Sequence, residues 1–145
     1  MKRFWGFALA LVLLLSTFSL AGCGSSFDFD NEVNRLQYNG YLIKYDYTDY
    51  SRLQALSEQY TNNLQSAGND TEVWVERQAH FEKSENSFEF CTMTIFETKK
   101  QAEAYAIYLD YRYGSDDKEK VARHENVVVV SNSTEVQKNL NLEFK

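Results

Sequence analysis

From Phe4 to Leu15 the chain is an almost unbroken apolar run, preceded by Lys2 and Arg3. Ser16, Thr17 and Ser19 soften it, and it closes in the small residues Ala21 and Gly22 followed directly by Cys23. This stretch constrains everything after it. Positive charge, apolar run and small residues in that order are the layout of a secretory signal peptide, so residues 1–22 are read as removed. The competing reading is an uncleaved membrane span over Phe4–Gly22, which has about the required 17–25 residues. Its far end, however, is small and polar and lacks flanking charge.

The cysteine placed directly after the small residues separates one kind of signal from the rest. Leu20-Ala21-Gly22-Cys23 resembles the lipobox of bacterial lipoproteins, and the resemblance covers residues 1–23 only. It implies that the Cys23 thiol takes a diacylglyceryl group, that cleavage precedes Cys23, and that the new N-terminus is acylated with a fatty acid such as palmitate. Two or more acyl chains hold a protein stably on a bilayer where one does so only marginally. The implied location is the extracytoplasmic face of a bacterial cell membrane. In a host with an outer membrane, Gly24 lacks the aspartate associated with inner-membrane retention, which favours the outer membrane.

The segment also sets the terms for the fold. Residues 23–145 suffice for one domain with a core of its own. The removed part carries two basic residues and no acidic ones, which takes the formal charge from −6 to −8. Nucleic acid and anionic lipid surfaces favour Lys/Arg patches, so neither is an expected partner. With Cys23 lipidated, Cys91 has no intrachain partner, and the fold is expected to do without a disulfide although export would permit one. Proline is absent, which excludes a proline-rich spacer. Residues 23–31 read as a lipidated cysteine and short tether of about 20–25 Å when extended. Residues 32–145 read as one globular domain.

Within that domain a helical turn is expected over Asn31–Leu36, and Asn39-Gly40 signals a turn. Tyr41 to Tyr47 alternates as a strand, with Tyr41, Ile43, Tyr45 and Tyr47 on one side. A helix of about residues 50–67 follows, capped by Thr48 or Asp49, with Leu53, Leu56, Tyr60 and Leu64 at helical spacing and Gly68 just beyond its end. Thr71–Phe81 and Ser87–Phe96 form an expected hairpin around the polar loop 82–86. The first strand shows Val73, Val75, Ala79 and Phe81 on one face. The second is apolar on both faces, as a central strand would be. Thr98 and Gln101 have capping-box spacing and open a second helix of about residues 98–113. Lys120–Arg123 and Val127–Ser131 make a second hairpin turning at His124-Glu125-Asn126, with Asn126 suited to the left-handed conformation. Asn132 and Glu135 cap a last short helix. The expected fold class is α+β, a mainly antiparallel sheet of about four or five strands with the two main helices packed on one face.

Catalytic and metal chemistry find little purchase. A nucleophilic Cys91 needs a base, but pairing the hairpin around residues 82–86 sets Cys91 opposite Arg77 and His80 opposite Phe88, on different faces. His80 and His124 lack the companions a zinc site requires. Glu72 and Glu76 sit about 13 Å apart along a strand, too far for a glycosidase pair. No catalytic residue, metal ligand or cofactor is assigned. The compositional oddity is tyrosine. Tyr38, Tyr41, Tyr45, Tyr47 and Tyr50 crowd one segment, interleaved with Asp46 and Asp49. Tyrosine offers large contact area at low entropic cost with a polar tip. Tyr38, Tyr41, Tyr45, Asp46, Tyr47 and Tyr50 are therefore the candidate binding patch. The expectation is a lipid-anchored envelope protein with a small non-enzymatic domain that binds an envelope protein or a wall glycan. The alternatives are a thiol-dependent or enzymatic factor centred on Cys91, and an assembly subunit using Val127–Val130 as an open sheet edge.

Overall fold

The computed structural model describes residues 27–83, 88–114, 118–140 and 142–144. Residues 1–26, on which the expected signal and Cys23 fall, part of the 82–86 loop and residues 115–117 lie outside the described residues. Among the described residues nine elements follow in order: α1 (Phe29–Tyr38), β1 (Leu42–Tyr47), α2 (Tyr50–Ser66), β2 (Val75–Glu82), β3 (Phe90–Phe96), α3 (Lys99–Tyr113), β4 (Lys120–His124), β5 (Val127–Ser131) and α4 (Thr134–Asn139). The class is α+β. The strands form one antiparallel sheet in the order β1-β2-β3-β5-β4.

Local sequence explains the helices. Asp28 caps α1 by accepting from the Asn31 backbone N–H at 3.1 Å, and Phe29, Val33 and Leu36 form its buried stripe. The helix therefore starts at Phe29 and takes up residues read from sequence as tether. Asp49 caps α2, and Gly68 follows it at φ +80°, in the left-handed region that glycine tolerates. Thr98 caps α3 through the Gln101 N–H. The Gln101 side chain does not complete a capping box; its Oε1 accepts from the Trp74 N–H at 3.3 Å instead.

The two main helices do pack together on one face. Leu53 and Leu64 of α2 and Ala102, Tyr105 and Leu109 of α3 bury against Val75, Phe96, Val121 and Val128. The opposite face is also covered. Phe29, Val33 and Leu36 of α1 and Val136 of α4, with Leu140, close over Ala79, Phe81, Cys91, Met93, Val127 and Val129. This second helical layer gives the sheet an apolar interior on both sides, which accounts for the double-faced apolarity of the central β3.

Two register shifts redirect side chains. One lies between Ile43 and Tyr45, the other between Val75 and Arg77. Each bulge inserts one residue and so reverses which face the alternation serves. Tyr41 and Ile43 consequently lie on the α1 side and Tyr45 and Tyr47 on the α2/α3 side, not together as simple alternation implies. Val75 likewise joins the α2/α3 core while Ala79 and Phe81 join the other.

Three other expectations are corrected. Cys91 pairs with Phe81 and His80 with Thr92, not with Arg77 and Phe88, because the connection between β2 and β3 is longer than the polar loop suggested. At the β4–β5 turn the positive φ falls on Glu125 (53°); Asn126 instead donates its side-chain N–H to the Phe96 carbonyl at 2.7 Å. The Val127–Val130 run is no edge, since β5 pairs with β3 on one side and β4 on the other. The edges are β1 and β4, and Phe144 bridges to Ala122 on the β4 edge.

Candidate functional site

The β1 bulge and the antiparallel register bring polar and aromatic residues of three strands onto the α2/α3 side. Tyr45 pairs with His80, Tyr47 with Gln78, His80 with Thr92 and Gln78 with Thr94. Tyr60 of α2 and Tyr105, Leu109 and Tyr113 of α3 face them, with Val128 and Val130 of β5 beside. Together with Phe90 these residues line a cleft of about 210 Å³. Its floor is deep: Tyr105, Leu109 and Val128 are buried, while Tyr45, His80, Phe90, Thr92 and Tyr113 are half-buried and reach the mouth.

The rings at the mouth form a continuous row. Tyr47 stacks on Tyr45 with centroids 4.3 Å apart, and Tyr45 stacks on His80 at 5.2 Å. Phe90 tilts against His80 at 5.8 Å. The Arg52 guanidinium covers the Tyr47 ring at 5.0 Å. His80 is held in plane by Thr92, whose hydroxyl lies 2.7 Å from Nδ1, and its Nε2 lies 3.5 Å from Glu82 Oε1. Behind the row, the Gln78 amide donates to the Tyr60 hydroxyl and, at 3.0 Å, to Thr94 Oγ1. Tyr60 stacks on Tyr105 at 4.2 Å.

The cleft holds no formal charge. None of its lining residues is Asp, Glu, Lys or Arg, in a chain where 25% of residues are charged. Two other hollows differ. A groove of about 300 Å³ between α3 and β4 carries Glu103, Asp110, Arg123 and Glu143. A shallow surface near Asn69 carries Asp70, Glu72 and Lys100. Burial favours the protonated form of three cleft phenols. Tyr45 is pushed up to about 12 by desolvation, then by neighbouring Tyr60 and Tyr47. Desolvation raises Tyr60 and Tyr105 as well. The site therefore presents phenol, hydroxyl, amide and imidazole groups above an apolar floor.

The sequence-derived patch is divided by this geometry. Tyr45 lines the cleft and Tyr47 abuts it. Tyr41 leaves the patch: it is 1% exposed, and its hydroxyl lies 2.6 Å from Ser133 Oγ in the opposite core. Asp46 turns to the α1 side, where Arg77 engages it with two hydrogen bonds of 3.0 and 2.8 Å. Tyr50 is exposed and tilts on Trp74 at 5.5 Å. Tyr38 is 92% exposed at the end of α1, away from the cleft residues in sequence and layer.

Sequence reasoning missed Gln78, Thr92, Thr94 and Tyr113 as site residues. A signal was present: Thr92 and Thr94 alternate with Cys91, Met93 and Ile95 in a strand buried on both faces. Polar side chains at alternate positions of such a strand must meet polar partners.

Cys91 is fully buried, and desolvation, then nearby Glu32, pushes its thiol up. His80 projects to the other face. Among the described residues no group of three or more His, Cys, Asp or Glu could hold a metal ion, and no helix is long and apolar enough to cross a membrane. Comparison with known proteins returns no match: no family model, no curated protein and no solved structure resembles the chain. Fold and site together define a small α+β domain with an uncharged, tyrosine-lined cleft.

Proposed function

We propose that this chain is a lipid-anchored protein of the bacterial cell envelope whose domain is a binding module, not an enzyme. Anchoring rests on the ordered signal Lys2-Arg3, apolar run and Leu20-Ala21-Gly22-Cys23. Binding rests on one observation, the uncharged aromatic and hydroxyl-lined cleft between the sheet and α2/α3. A concave surface with an apolar floor and a few convergent polar groups is the usual form of a ligand site. The partner is an envelope protein or a wall glycan.

The tether favours work close to the bilayer. Phe27 already packs against the core, so the chain from Cys23 to Phe27 spans about 13 Å at full extension. The Cys91 reading has less support, because a nucleophilic thiol needs access and a lowered pKa, and this one is enclosed.

Two experiments test the proposal. In the first, full chain and Cys23→Ala are expressed in a bacterial host and partitioned between detergent and aqueous phases. The native chain enters the detergent phase and the variant does not; equal partitioning refutes the lipid anchor. In the second, the full chain is immobilised and exposed to solubilised envelope proteins and purified wall fragments, with Tyr45→Ser/Tyr47→Ser as control. Tyr41 is left unchanged because it is a core residue. A saturable partner lost in the control supports the module; no partner in either fraction refutes it.

A further inference from the structure

The cleft's chemistry narrows its ligand, on the assumption that the domain is a binding module. We infer that it takes an uncharged, hydroxyl-rich ring, a neutral saccharide unit, seated over Val128 and Val130 with its hydroxyl edge toward Thr92, His80 and Tyr113.

Three observations carry the inference. First, the lining has no Asp, Glu, Lys or Arg. Two charged groups beside the aromatic row are already engaged: Glu82 pairs with Lys44 at 3.2 Å, and Arg52 lies over Tyr47 with Asp49 3.7 Å from its Nε. A phosphate or carboxylate ligand would be desolvated here with no Lys or Arg in the lining to meet it, and an ammonium with no Asp or Glu there, so either should bind more weakly than a neutral ring. Second, the polar lining consists mainly of hydroxyls, with one amide and one imidazole. A hydroxyl both donates and accepts, as do the hydroxyls of a sugar. Such a site selects ligands whose groups can play either role. Third, the floor is apolar and the row of rings is held rigid by its own stacking and by the Thr92–His80 contact. Preorganised side chains lose little freedom when a ligand arrives. A sugar ring has an apolar C–H face and a polar rim, which matches apolar floor and hydroxyl wall. At about 210 Å³ the cleft is smaller than a typical drug-sized pocket, so a chain ligand would enter by one unit.

The test uses the full chain, purified in a zwitterionic detergent without a sugar headgroup, and isothermal titration. The probes are N,N′-diacetylchitobiose as the neutral saccharide, its de-N-acetylated cationic form, and glucose 6-phosphate as the anion. The neutral disaccharide should bind saturably, and both charged probes should bind at least about tenfold more weakly. Thr92→Val and His80→Phe should each lose about tenfold or more, the cost of one hydrogen bond. Because a variant can fail to fold, threonine-methyl NMR of the native chain gives an independent reading: Thr92 and Thr94 should shift on titration.

No heat and no Thr92 or Thr94 shift at tens of millimolar saccharide overturns the inference. So do tighter binding of either charged probe and saccharide binding unaffected by both substitutions. A protein partner captured through Tyr45 and Tyr47 while the disaccharide stays unbound would keep the binding module and remove the saccharide.

Discussion

The Thr92 hydroxyl lies 2.7 Å from His80 Nδ1 across the β2–β3 pair, fixing the imidazole at the end of the Tyr47–Tyr45–His80 stack. Both residues are half-buried, so the contact orients more than it stabilises. Thr92→Val should cost about 1 kcal/mol, the net worth of an ordinary hydrogen bond. It should also release the ring, changing the ¹⁵N shifts of the His80 imidazole. An unchanged imidazole spectrum in the variant would show that the contact is not held in solution.

Arg77 ties the α1 layer to the sheet. Its guanidinium bonds Asp46 twice and Asp30 at 2.7 Å, and lies over the Phe29 ring at 4.5 Å. The Asp46 side chain is 28% exposed and engaged at both oxygens, whereas the Asp30 side chain is 76% exposed. The Asp46 contact should therefore dominate, since exposed pairs contribute little. Denaturant titration should show Arg77→Met losing about 2 kcal/mol and Asp30→Asn losing under about 1 kcal/mol. Equal losses would contradict the geometry.

Cys91 should be silent toward thiol reagents. It is fully buried in the α1-side core with its thiol pushed up by desolvation, and the thiolate is the reactive form. Alkylation at pH 8 should proceed only after denaturant unfolds the chain. Rapid labelling of the native protein would reopen the thiol-dependent alternative.

Two glycines should respond to alanine for different reasons. A Cβ added at Gly68 would meet nothing within 4 Å, but the backbone there has φ +80°. Gly68→Ala should thus cost about 1–2 kcal/mol from the left-handed backbone alone. Gly114 has ordinary φ, but a Cβ there would meet the Asp110 carbonyl oxygen at 2.4 Å. Gly114→Ala must shift the end of α3, beside Tyr113 of the cleft. It should lower thermal stability and perturb the Tyr113 ring resonances, which Gly68→Ala should leave alone.

Asp49 supplies a pH-dependent contribution. The Arg52 backbone N–H and the Ser51 hydroxyl hold its carboxyl below the usual aspartate range. A depressed folded-state pKa means that stability is present above the unfolded value and lost as pH falls through the folded one. The melting temperature of the native chain should exceed that of Asp49→Ala at pH 7. The gap should narrow below about pH 4, where aspartate begins to protonate. A gap independent of pH would mean that the charged cap contributes nothing.

Much of the fold was legible because helix signals are local. Asp49, Thr98 and Gly68 mark ends through contacts within a few residues, and Leu53, Tyr60 and Leu64 mark a buried stripe by spacing alone. The β3 pattern, apolar on both faces, announced a central strand for the same reason. The second helical layer was harder to read: α1 is short, and its Phe29 sits in a stretch that looks like tether.

The site was only partly legible. The tyrosine-rich segment pointed to Tyr45 and Tyr47, yet the bulge between Ile43 and Tyr45 sends Tyr41 into the opposite core. A one-residue insertion is invisible in an alternating pattern, because it is defined against the partner strand.

The sequence by itself therefore determined the main helices and the antiparallel α+β class, since each is written in residues adjacent along the chain. Only the tertiary structure decided which faces meet. It set Tyr45, His80 and Thr92 side by side from three strands, under Tyr60 and Tyr113 from two helices. Strand register and helix docking are settled by burial of the whole sheet at once, and no local stretch encodes that outcome.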